Sequence, residues 1–190
     1  ITPFVERRGF LGRTDEEWQY LVDLANEMNE EGDYVTIQGW EWTHYSLGHR
    51  NVYFAHDETN MPLYSHSNPD YDDPDKLAKA LEEVKCLIIP HSSAWATQDH
   101  LEMTNAFNWG SQPIPQQRLV EIYSCHGASE YHDNPYAVDD GLQEAPTDSE
   151  LILGLMNYII AQAPADSGNF VQDALRQGWR LGFLGCSDMH

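Results

Sequence analysis

The chain has 190 residues, with 31 acidic against 10 basic side chains and a formal net charge of −21. That length suits one domain burying about two-thirds of its unfolded surface, and the acidic balance excludes a protein that grips the nucleic-acid backbone. No apolar run approaches a membrane span, and three scattered cysteines signal neither a disulfide framework nor a zinc knuckle.

In chain order, Thr14 and Glu17 stand at capping-box spacing. Trp18, Leu21, Val22, Ala25 and Met28 then repeat with helical period up to Gly32. The β-branched and aromatic run 34–42 predicts a strand, and 50–55 a second. A polar loop runs from His56 to Asp73. Asp73 as N-cap and Pro74 as first helical residue open a helix with Leu77, Ala80, Leu81 and Val84 on one face. Residues 86–90 are wholly apolar, as in a strand covered on both faces, and 117–124 predict another strand. A loop rich in Asp, Glu, His and Pro leads to a helix near 149–162, then a helix ended by Gly178 and a strand over 180–185. Cys86, Cys125 and Cys186 lie in or just after these apolar runs and read as buried thiols.

Strands alternating with helices imply parallel pairing and an α/β layout, barrel or open sheet. Side chains for chemistry then gather at the C-terminal ends of strands. Glu41 ends its strand and His91 directly follows 86–90. Glu121 lies in its strand with His126 in the next turn, while Asp188 and His190 follow Gly185. His49 precedes its strand, and the short 43–49 turn returns it towards Glu41. Mixed imidazole and carboxylate groups at four strand ends are the donor set of zinc and similar divalent ions, and a carboxylate such as Glu41 is able to bridge two cations. His44 reads equally as ligand or loop residue. His56, His66, His100 and His132 fall in polar loops, where exposure is the default. Trp42, Tyr45, Trp95 and Tyr123 are aromatics near the site, Trp42 and Tyr123 more in keeping with core packing. Ser92, Ser93 and Ser187 lack a nucleophile-elbow context, and Cys125 and His126, as strand neighbours, point apart.

The stretches "GWEWT…GHRNVYF", "LIIPHSSAW", "LVEIYSCHG" and "RLGFLGCSDMH" together resemble the PHP (polymerase and histidinol phosphatase) superfamily, in its branch grouped as the domain of unknown function DUF3604. The resemblance implies an incomplete distorted (β/α)7 barrel, one domain over 1–190 with about five of seven strands. The family's opening H-x-H and T-D-H strands are not found, so the chain is expected to be a portion of something longer. Glu41 matches the family's bridging carboxylate and His49 the histidine after it. His91 matches a strand-end histidine, with Ser92 where proline is usual, and Asp188 and His190 match the closing pair. Glu121 and His126 match positions near the site, with proton transfer as their expected catalytic role.

The resemblance implies a divalent-metal-dependent hydrolase with two or three zinc, manganese or iron ions in the intact protein. The expected reaction is phosphoester hydrolysis on a small phosphorylated substrate, without nucleic-acid or membrane partners. A catalytically silent metal-binding module and an amidohydrolase acting on C–N bonds are the alternatives.

Overall fold

The computed structural model describes residues 4–5, 14–44, 47–55, 58–59, 61–94, 107–124, 127–131 and 168–186. Helix α1 spans Asp15–Met28. The Thr14 hydroxyl accepts from the Glu17 backbone N–H at 3.2 Å, while the Glu17 carboxylate accepts from the Thr14 N–H at 2.8 Å. Two of the helix's orphan donors are thereby satisfied, as the spacing predicts. Helix α2, Pro74–Ala80, starts on the Asp73 side chain, which accepts from Lys76 N at 2.9 Å. It stops four residues earlier than the predicted apolar face, with 81–83 continuing as turns and 84 as a bend. Helix α3 is Val171–Arg176. The helix expected near 149–162 lies outside the described residues.

The strands are β1 Phe4–Val5, β2 Gly39–His44, β3 Gly48–Phe54, β4 Cys86–His91, β5 Leu119–Ser124, β6 Gly127–Ala128 and β7 Gly182–Gly185. They do not form the expected (β/α)7 barrel. Among the described residues they make a four-stranded sheet, ordered β1-β2-β3-β4, and a three-stranded sheet, ordered β6-β5-β7. Among the described residues parallel pairing is confined to β1 with β2 and β5 with β7, whereas β2, β3 and β4 run antiparallel. For β2 and β3 the reason is chain length. A parallel crossover needs a dozen or more residues, and only 45–47 separate β2 from β3. Residues 34–38, expected to be part of the strand over 34–42, precede β2 instead, with Tyr34 bridging to Glu30.

Side-chain alternation gives the first sheet two unlike faces. On one, Trp40, Trp42, Val52, Phe54 and Ile88 pack against Trp18 and Val22 of α1 and Leu77 and Leu81 of α2. Burying each such side chain stabilises by roughly 1.5–3 kcal/mol. The Trp18 indole N–H donates to Met61 O at 2.7 Å and that of Trp42 to Tyr71 O at 3.0 Å. Both tie the 61–71 loop over this core. A second cluster joins Phe107, Trp109, Val120, Val171, Ala174 and Trp179, and Ile114 packs against both. The other face of the first sheet carries Glu41, Thr43, His49, Asn51 and His91.

The thiols divide. Cys86 is half-buried rather than fully buried, with its pKa pushed up to about 11 by burial and then by the charge of Glu58. Cys186, directly after the mostly exposed strand β7, is exposed, contrary to expectation. Cys125 lies outside the described residues.

Candidate metal centre

Three neighbouring strands assemble the site. Thr43 pairs with His49 across β2 and β3, and His49 pairs with His91 across β3 and β4, which brings both imidazoles to the face of Glu41. His49 Nδ1 lies 2.9 Å from Glu41 Oε1, and His91 Nε2 lies 3.5 Å from the same oxygen. The imidazole rings meet edge to face, with centroids 5.7 Å apart. One ligand atom from each of the three residues falls within 4.8 Å of the other two. Glu41 is 4% exposed and His91 3%.

Burial alone would raise the Glu41 carboxyl. Its hydrogen bonds with His49 and His91, and their charge, outweigh that cost and hold it well below the usual carboxylate range. An ionised carboxylate between two imidazoles, sheltered from water, fits a divalent cation by donor chemistry and by reach.

Backbone geometry helps to place these groups. Ser92, directly after His91, has φ +50°, a left-handed conformation that costs a non-glycine residue about 1–2 kcal/mol. Proline is locked near φ −65° and cannot adopt it. The serine that departs from the expected motif is therefore the residue this turn accepts.

Behind the site, Arg50 is 1% exposed on the core face. Its guanidinium carbon lies 4.6 Å from the Phe107 ring centroid and 5.5 Å from that of Trp42. Nη1 donates to Leu47 O at 3.2 Å and Nη2 donates to Asn108 O. Burial pulls its pKa down to about 9, opposed by the charge of Asp75. The buried cation thus ties the β2–β3 hairpin to segment 107–110. Nothing in the sequence marks it, since an arginine in a strand reads as a solvated residue until the strand's core face is known.

Beside this clamp, His44 stacks on Trp42 with centroids 5.3 Å apart, and His66 meets His44 edge-on at 5.6 Å. His44 ends β2, and His66 is half-buried where exposure is expected. Burial lowers the pKa of both. Arg50 lowers His44 further, and His44 and His49 lower His66. His44 Nδ1 also accepts from Leu47 N at 3.1 Å, which favours neutral imidazole. A histidine whose folded pKa is depressed contributes stability above its ordinary value of 6.5, lost as pH falls through it. The urea midpoint of unfolding should therefore drop between about pH 7.5 and about pH 5.5. Replacing both residues by glutamine should flatten that drop, and an unchanged slope would assign the acid sensitivity elsewhere.

Of the other expected site residues, Glu121 lies on β5, 4% exposed, and is not part of the three-residue group. His126, Asp188 and His190 lie outside the described residues, as do Tyr45 and Trp95 and the loop histidines His56, His100 and His132. Trp42 is a core residue. Tyr123 is 53% exposed, so its expected packing role fails.

A buried carboxylate and two imidazoles converging from three strands define a group able to bind a metal ion. A family model described as "Protein of unknown function (DUF3604)" matches residues 6–184, and the chain belongs to that family. Comparison with curated proteins and with solved structures gives no match. No helix among the described residues is long and apolar enough to cross a membrane.

Proposed function

We propose that this chain carries the metal-binding part of a PHP-type, divalent-metal-dependent hydrolase, a phosphoesterase for a small phosphorylated substrate. The observation that carries the reading is the buried Glu41–His49–His91 group, placed on the motifs that resemble that superfamily. Bound there, a divalent ion would supply Lewis acidity, activating water near neutral pH and polarising a phosphoryl oxygen. Glu41 contributes the negative charge, and its two imidazole partners fix the carboxylate's orientation. Glu121, a buried carboxylate on β5, is the residue assigned to proton movement. A net charge of −21 suits a small substrate better than a polyanionic one.

The test is hydrolysis of an aryl phosphate by the purified chain with manganese or zinc. Activity should need the metal and disappear in Glu41→Ala. Hydrolysis that persists in that variant would reject the site. Metal uptake without hydrolysis would leave a metal-binding module.

A further inference from the structure

The face that carries Glu41, His49 and His91 holds two more polar side chains in the same register. Asn51 is the cross-strand partner of Glu41, and Thr43 is the partner of His49. Side chains directly opposite on neighbouring strands have Cβ atoms about 4.5–5.5 Å apart. Glu41, Thr43, His49 and Asn51 therefore form one rectangular patch, which His91 extends on the next strand.

Thr43 is 5% exposed. Its Oγ1 and the Oδ1 of Asn51 are both buried, and among the described residues neither has a hydrogen-bond partner. Folded proteins seldom leave such oxygens unsatisfied, and those that remain call for a ligand, an ion or a functional role. Both are neutral oxygen donors, and both stand beside an ionised carboxylate. Their natural complement is a cation. Oxygen donors of this kind suit harder ions such as manganese better than zinc, whose protein sites are dominated by thiolate and imidazole.

We infer that Thr43 and Asn51 belong to the metal site, adding two oxygen donors to Glu41, His49 and His91 and tilting the site towards manganese-type cations. This rests on the proposed reading that the three-residue group binds metal. The residue types alone do not reveal the extension, since threonine and asparagine are ordinary in strands. Register does reveal it.

The experiment is titration of the purified chain with manganese and, separately, zinc, followed by calorimetry, for wild type, Thr43→Val, Thr43→Ser and Asn51→Leu. Each apolar variant should weaken manganese binding about tenfold, the lower end of the effect seen when supporting groups around a metal are removed. Zinc binding should change by less than about threefold, because the imidazoles and Glu41 dominate it. Thr43→Ser, which keeps the hydroxyl, should return to wild type. Manganese affinities unaltered in both apolar variants would overturn the inference and leave the three-residue site standing. Equal losses for the two metals would overturn the manganese preference. A wild-type chain that binds neither metal would remove the underlying reading itself. Circular dichroism identifies any variant that fails to fold, in which case the remaining substitution decides.

Discussion

Glu41→Ala is expected to lower divalent-metal affinity by at least about 100-fold, since even the partners that merely support metal ligands account for 10–100-fold. Glu41 is the hub of the group, with His49 and His91 on the same carboxylate oxygen at 2.9 and 3.5 Å. Without it, a cation would face two neutral imidazoles in a buried site with no carboxylate to balance its charge. Thermal unfolding offers a direct check. A ligand that binds only the folded state stabilises by about 2.7 kcal/mol at a hundred times its dissociation constant. Metal should therefore raise the melting temperature of the wild type, chelator should reverse the rise, and neither should move Glu41→Ala. The metal-free proteins should differ too. Because the fold holds the Glu41 carboxyl below its ordinary value of 4.5, its contribution is present above that value and lost as pH falls through the acidic range. Wild type should lose stability on acidification more steeply than Glu41→Ala. A variant that still binds one equivalent of metal with wild-type affinity would remove Glu41 from the centre.

How much of this was legible depended on whether the determining interaction is local. The capping box at Thr14 and Glu17, and the Asp73–Pro74 helix start, are four-residue devices whose geometry is set by the residues themselves. Placement of Glu41 on its strand, of His91 at a strand end and of the short turn before His49 is equally readable, whereas the approach of His91 to Glu41 comes from the β3–β4 register. Sheet topology was not readable in the same way. Alternating helices and strands suggested parallel pairing throughout, but the three residues between β2 and β3 permit only a hairpin, and β4 pairs back onto β3. Strands β1 and β6, two residues each, are too short to display any period. Thr43 and Asn51 carry no mark of their own in the sequence, because their importance lies in what stands opposite them. The alternation Glu41-x-Thr43 facing His49-x-Asn51 was the available signal, and it acquires meaning only once the register is fixed.

Gly48→Ala should be among the most damaging single-atom additions in the described chain, costing about 2–5 kcal/mol from a left-handed backbone term of about 1–2 and an overpacking term of about 1–3. Gly48 opens β3 with φ +88°, and a Cβ there would lie 2.1 Å from Phe107 Cδ2. Phe107 has little freedom to retreat, because its ring also packs, tilted, against Trp109 with centroids 4.6 Å apart and covers the Arg50 guanidinium. Displacing it would expose a buried cation and loosen the clamp from Arg50 to Leu47 and Asn108. His49 is the next residue, so the disturbance should reach the Glu41–His49 contact and weaken metal binding as well as the fold. Gly32 is the control. It has nearly the same φ, +86°, with nothing within 4 Å of an added Cβ. Gly32→Ala should therefore report the backbone term alone, about 1–2 kcal/mol, and leave metal affinity intact. Urea denaturation of the two variants separates the contributions. Equal losses at the two positions would mean that Phe107 yields freely, and that the clamp behind the metal centre does not hold the hairpin in place.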